Sequence, residues 1–142
     1  MDTQGQDFEA IWAETTDGGL LRQLFGAYPT MHNAVILGLD TDFSTRSITI
    51  TVHYSDEVGE ASQMCARINL IWTGVERADL PFADNAMMSL KFARLGNLIV
   101  SSIETSPGQF GEIVSESFEA VLKQVDPLDE LDVAAVRYRL NR

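Results

Sequence analysis

The sequence predicts a single α+β domain, in which a mostly antiparallel, twisted sheet is preceded by short helices and followed by one C-terminal helix. Helical spacing of apolar residues is clearest in the first 25 residues and the tail. Strict apolar–polar alternation over residues 47–54 is the clearest strand pattern, and Gly or Pro turns divide the rest of the chain. A length of 142 residues suits one domain, residues 1–142, and neither a repeat nor a linker is visible.

Two short helices are predicted at the N-terminus. Asp7 is placed to cap the first helix, which carries a Phe and a Trp four residues apart on one face. Residues 17–19, Asp-Gly-Gly, interrupt this pattern. The second helix has apolar residues at helical spacing over 20–25, and we expect it to end at Gly26.

Strands are expected from about residue 31 onward. In the first strand Val35, Leu37 and Leu39 are expected to face one side. The strands after it are predicted over 47–54, 64–72, 76–80, 87–93 and 98–103, with Gly74 marking one of the turns. Residues 118–125 fit either a helix or a strand, and their position after a Gly-rich turn favours a strand. The C-terminal helix is predicted to begin after Asp126–Pro127.

The charge of the chain limits the partners it can have. Twenty-one acids against ten bases give a formal net charge of −11. Binding to phosphate backbones or anionic lipid depends on clustered Lys and Arg, so we expect neither a nucleic-acid nor a membrane partner. A basic protein surface is the natural electrostatic partner. The sequence starts without a basic and apolar leader and holds a single cysteine, which predicts a cytoplasmic protein.

No motif for metal, cofactor or phosphate binding is found, so we expect no cofactor and no metal. Cys65 has no second cysteine, and neither histidine has a further ligand at metal-binding spacing. Residues 40–45 begin like a calcium loop, but threonines, Thr45 and Thr51, stand where the turn glycine and the bidentate acid are required. Phosphate-binding glycine loops and the nucleophile elbow are also missing.

Three stretches resemble one family. Residues 24–34, LFGAYPTMHNA, resemble the "FG-aromatic-P-S-F-H-D-A" signature of the bacterial toxin-immunity proteins called immunity protein fifty. Residues 68–75 with 80–85, and residues 111–127, are similar to the later strand and closing patterns of that family. The resemblance covers about residues 20–127. The chain departs from the signature at Thr30, Met31 and Asn33, and the loss of the acid at Asn33 removes a His–Asp pair.

The resemblance implies a non-catalytic cytoplasmic protein that neutralises a cognate toxin by stoichiometric occlusion. The acidic charge agrees with a toxin that has a basic surface, and we extend this to a nuclease toxin. The acids predicted to bind the partner are expected to cluster in two neighbouring loops; they are Asp40, Asp42, Asp56, Glu57 and Glu60. A second group is expected at junctions, in a structural or functional role; it comprises His32, Asn33, Asp84 and Asn85.

Two other functions stay open. A small-ligand or scaffold module would show a pocket lined by apolar residues and a few polar groups. An enzyme would bring His32 and an acid such as Asp84 within hydrogen-bond reach in a cleft. The sequence also leaves a homodimer open.

Overall fold

The computed structural model describes residues 3–31, 34–55, 65–80, 87–105 and 109–126. Two helices precede six antiparallel strands, which confirms the expected α+β class. The elements are α1 (Thr3–Glu14), α2 (Gly18–Phe25), β1 (Ala34–Asp42), β2 (Ser47–Ser55), β3 (Cys65–Asp79), β4 (Met87–Leu95), β5 (Leu98–Thr105) and β6 (Gln109–Asp126). The predicted C-terminal helix falls outside the described residues.

The sheet curls into a closed barrel with the strand order β1-β2-β3-β6-β5-β4. The long strands β3 and β6 pair from Cys65 with Asp126 to Asp79 with Glu112, and they form the centre of the sheet. Within the described residues, the pairs Ala34 with Met88 and Val35 with Met87 join β1 to β4 and close the barrel.

Alternation in β2 sets the two faces of the sheet, as the sequence predicted. Three residues of β2 are buried: Ile48, Ile50 and Val52. They pair in this order with three buried residues of β3: Trp72, Leu70 and Ile68. A strand with one packed and one solvated face requires this period of two residues.

Aromatic side chains fill the space between α1 and the sheet. Trp12 is fully buried and packs edge-on against Phe118 at 5.4 Å and Phe92 at 6.2 Å between ring centroids. The indole N–H of Trp72 donates to the buried hydroxyl of Ser101 at 2.8 Å. Because buried polar groups require partners, this hydrogen bond lets a tryptophan occupy the core without an unpaired donor.

The turn between the two helices docks on the edge of β6 beyond its pairing with β5. The Asp17 backbone N–H donates to the Ala120 carbonyl at 3.2 Å, and the Asp17 carboxylate accepts from the Leu122 N–H at 2.7 Å. The Thr16 N–H donates to the Glu119 carboxylate. The helices are therefore held by hydrogen bonds to the Ala120 carbonyl and the Leu122 N–H of β6, which are backbone groups that an additional strand would otherwise bond.

Helix boundaries differ from the sequence prediction at one end. Asp7 does not cap α1, which starts at Thr3; its carboxylate instead accepts the backbone N–H of Arg94 at 3.1 Å. This is a long-range contact to β4, so helical spacing gave no sign of it. The end of α2 is confirmed, since Gly26 adopts φ +82° and its N–H bonds to the Arg22 carbonyl at 2.7 Å.

Two strand predictions are corrected and one is confirmed. Residues 76–80 are not a separate strand, because β3 continues through Gly74, whose φ of +65° accompanies a register shift against β6. In β1 a bulge between Ile36 and Gly38 breaks the expected alternation of Val35, Leu37 and Leu39. Residues 118–125 form a strand, the alternative that the sequence favoured.

Candidate protein-binding surface

The hairpin that joins β1 and β2 ends in a turn with an unusually exposed aromatic ring. Phe43 is 92% exposed, the largest value among the exposed large hydrophobic residues of the described chain. Sequence analysis missed Phe43 because it lies within the polar run of residues 40–45. The available signal was an aromatic residue in a turn with polar neighbours, Thr41 and Thr45, at strand spacing on both sides. We call residues 42–46 the hairpin tip.

The hairpin tip is fixed to the barrel rather than free. Arg46, at φ +51°, accepts the Val75 N–H on its carbonyl oxygen at 2.8 Å. Its guanidinium pairs with the carboxylates of Glu76 at 3.2 Å and Glu116 at 3.3 Å. These exposed ion pairs contribute little energy individually, but the three contacts from one residue hold the turn in a single position.

Asp42 shapes the hairpin tip and stays ionised there. One oxygen of its carboxylate accepts from the Ser44 N–H at 3.0 Å and from the Ser44 hydroxyl at 2.7 Å. The hydroxyl bond, followed by the backbone bond, lowers the pKa of Asp42 below its ordinary value. The side chain thereby closes an Asx turn, which is a structural role for a residue predicted to contact a partner.

Asp40 projects from the outer face of β1, where it pairs in register with Thr49. It is exposed, and no basic residue is present in β1. Some other acids of the described chain have arginine partners, as in the ion pairs Arg77–Glu112 and Arg94–Glu14. Asp40 and Asp42 therefore form an acidic strip on a strand that supplies no countercharge.

Two partly exposed leucines lie next to this strip on β1. Leu37 and Leu39 are each 43% exposed, and within the described residues the segment 36–42 pairs with β2.

The remaining predicted site residues lie outside the described residues; they are His32, Asn33, Asp56, Glu57, Glu60, Asp84 and Asn85. The expected proximity of the two acidic loops involves residues 56–60 and therefore also lies outside the described residues.

A second surface feature lies on the outer face of β3, β5 and β6. It is an open cleft of about 450 Å³ lined by Arg77, Asp79, Ser102, Phe110, Gly111 and Glu112. An ion pair between Arg77 and Glu112 spans it, and Phe110 at its rim is 66% exposed. Its lining offers one aromatic ring and a satisfied charge pair, with neither histidine nor cysteine beside the Ser102 hydroxyl.

The described residues provide neither a metal-binding cluster nor a membrane-spanning helix. No group of three or more His, Cys, Asp or Glu side chains within the five described ranges is arranged to hold a metal ion. Neither α1 nor α2 has the length and apolar character needed to cross a membrane. Comparison of the chain with protein-family models, with curated proteins and with solved structures finds no match.

Proposed function

We propose that this chain is a non-catalytic inhibitor that binds a basic partner protein, as an immunity protein binds its toxin. The observation that supports the proposal most directly is Phe43, exposed at a hairpin tip that is itself anchored to the barrel. An aromatic ring held in water at a fixed position is available to enter a pocket on a partner protein. The resemblance of residues 24–34 to an immunity-protein signature points to the same class.

The hairpin tip has the physical properties of an interface anchor. Aromatic side chains that enter a pocket on the partner dominate binding energy, and truncating one typically costs 2 kcal/mol or more. The contacts of Arg46 to Val75, Glu76 and Glu116 order the turn before binding. Less conformational entropy is then lost on association, so more of the contact energy appears as affinity.

The acidic strip supplies charge complementarity beside this anchor. Asp40 and Asp42 face the same side of β1, and the chain as a whole carries −11. Such a surface accelerates association with a positively charged partner and disfavours anionic ones. A toxin that acts on nucleic acid needs a basic cleft, which an acidic inhibitor would occupy in place of phosphates, and we infer a partner of this class.

The cleft beside Phe110 favours a second candidate, a small-ligand-binding module. Its volume of about 450 Å³ is sufficient for a small ligand, and Arg77, Asp79 and Ser102 offer polar groups. The two candidates make opposite predictions for the two most exposed phenylalanines of the described chain, because Phe43 lies on the hairpin tip and Phe110 on the cleft.

The test is co-expression with the product of the neighbouring upstream gene, followed by measurement of growth and of complex affinity. We expect wild type and Phe110→Ala to rescue growth, and Phe43→Ala to weaken the complex by about 30-fold, the equivalent of 2 kcal/mol. Loss of rescue by Phe110→Ala alone would place the toxin contact at the cleft and contradict the role of Phe43. A neighbour that is harmless and does not bind would contradict the toxin-inhibitor function.

A salt titration of the same complex measures the electrostatic part of the binding. Affinity is expected to fall as ionic strength rises from about 0.05 to 0.5 M, since exposed charges are screened over that range. An affinity independent of salt would contradict the role of the acidic strip while leaving the role of Phe43 intact.

A further inference from the structure

The cleft on the outer face of the sheet places an exposed aromatic ring between carboxylates of two neighbouring strands. Phe110 of β6 is 66% exposed and lies directly opposite Glu104 of β5. Two residues further along β6, Glu112 lies opposite Asp79 of β3. Directly opposite side chains on paired strands are about 5 Å apart, and diagonal ones are about 7–8 Å apart. The ring of Phe110 therefore has one carboxylate within reach on each side.

The acids around this ring outnumber the bases that could neutralise them. Among the described residues that line the cleft, Arg77 is the one base, and it already pairs with Glu112. Asp79 and Glu104 are exposed, and within the described ranges no arginine or lysine pairs with either. Lys91 shares this face but lies on β4, across β5 from the ring, and does not line the cleft. The cleft therefore attracts a cation and disfavours an anion.

A guanidinium group fits this combination of a ring and a carboxylate better than other organic cations do. It is planar and weakly hydrated, it stacks on an aromatic face, and its edge donates two hydrogen bonds to a carboxylate. A primary ammonium is compact and strongly hydrated, so it gains less from the ring. Quaternary ammonium groups have no N–H to donate and are recognised by cages of several aromatic rings, whereas this cleft is lined by one ring.

We propose that the cleft binds a guanidinium group, which stacks on Phe110 and donates hydrogen bonds to the Asp79 carboxylate. Glu104 adds negative charge on the other side of the ring. Glu112 stays with Arg77, so no existing ion pair has to break. The inference depends on the second candidate function, the ligand-binding module, and adds the chemical class of the ligand. The group belongs either to a free compound or to an arginine side chain of another protein, and the experiment separates these sources.

The probe is N-acetyl-arginine amide, and two compounds control for its charge and its shape. N-acetyl-citrulline amide has nearly the same shape without the charge, and N-acetyl-lysine amide has the charge without the plane. Titration followed by the NMR shifts of backbone amides measures affinity and locates the site. We expect the arginine amide to bind about tenfold more tightly than the citrulline amide and about threefold more tightly than the lysine amide. The largest shifts are expected within residues 77–79 and 110–112. Equal binding of the arginine amide and either control, or shifts confined to other strands, would overturn the proposal.

Variants of Phe110 test the role of the ring. Phe110→Trp keeps an aromatic face, whereas Phe110→Leu keeps only apolar bulk. We expect the tryptophan variant to bind the arginine amide at least as tightly as wild type and the leucine variant to bind it about threefold more weakly. Wild-type affinity in the leucine variant would contradict stacking on the ring.

A matched pair of acid variants tests the carboxylate. Asp79→Asn removes the proposed acceptor and should weaken binding of the arginine amide about tenfold. Glu9→Gln removes the same charge from an exposed position on α1 and should change binding less than twofold. Equal effects of the two variants would mean that only the overall charge matters, which contradicts the assigned contact.

A glycine-flanked arginine peptide separates the two sources of the guanidinium group. Binding about fivefold or more tighter than that of the arginine amide assigns the site to an arginine of another protein. Equal or weaker binding assigns it to a free guanidinium compound, and the site stands in both cases.

The guanidinium site and the inhibitor function can fail separately. If the arginine amide does not bind while Phe43→Ala still weakens the complex with the upstream product, the guanidinium site is wrong and the inhibitor function stands. If the amide binds in the cleft but the upstream product neither harms cells nor binds, the guanidinium site stands and the inhibitor function is wrong.

Discussion

Replacing Gly18 with alanine tests how closely the two helices meet. A Cβ atom at position 18 would overlap the backbone carbonyl of Trp12 and lie 2.5 Å from the Thr15 hydroxyl oxygen. The same carbonyl accepts the Thr15 N–H at 3.1 Å and the Thr15 hydroxyl at 2.7 Å. Because the obstacle is backbone, relief requires the end of α1 to move away from the start of α2.

The cost follows from what that movement disturbs. Overpacking a tight site costs about 1–3 kcal/mol, and each of the two hydrogen bonds of the Trp12 carbonyl contributes about 1 kcal/mol. Alanine regains about 1 kcal/mol relative to glycine within a helix. We therefore expect Gly18→Ala to lower the free energy of unfolding by about 2–4 kcal/mol. That is a large part of the 5–15 kcal/mol typical of a domain.

Gly19→Ala is the matched control, because a Cβ atom there has no neighbour within 4 Å. It should leave stability unchanged or raise it by up to about 1 kcal/mol. Urea unfolding followed by tryptophan fluorescence and by circular dichroism measures both variants. For a loss of about 3 kcal/mol the midpoint should fall by about 1–2 M. If Gly18→Ala unfolds at the wild-type midpoint, the close approach of α1 and α2 is wrong.

Two further predictions concern the core and the hairpin tip. Ser101→Ala removes the acceptor of the buried Trp72 indole N–H and should lower the free energy of unfolding by about 1–3 kcal/mol. The same urea titration measures this change. An unchanged midpoint would mean that the indole finds another acceptor. Hydrogen bonds from Ser44 lower the pKa of Asp42 in the folded state. The ionised Asp42 therefore contributes its full stabilisation above the unfolded pKa of about 4, and this stabilisation is lost as the pH falls through the folded pKa. Asp42→Asn should therefore lose less stability between pH 6 and pH 2 than wild type does, by thermal unfolding at each pH, and an identical pH dependence would contradict this role.

Local patterns in the sequence were enough to predict the elements that depend on one face or one turn. The alternation over residues 47–54 predicted β2, because a half-buried strand must place apolar residues at every second position. Gly26 predicted the end of α2, because the left-handed conformation observed there favours glycine. Asp40 and Asp42 were identified as exposed acids from charge and turn composition alone.

Only the tertiary structure decided features that depend on contacts between distant residues. The sequence predicts only that Asp17 interrupts a helix, whereas the residue is buried and bonded to a strand more than a hundred residues away. The sequence predicts a turn at Gly74, but pairing with β6 carries the strand through it. The closure of the sheet into a barrel, through the pairing of β1 with β4, depends on strand lengths and register. Periodicity tells which face of a strand is apolar; it cannot tell which strand lies beside it, because that depends on the register of the whole barrel.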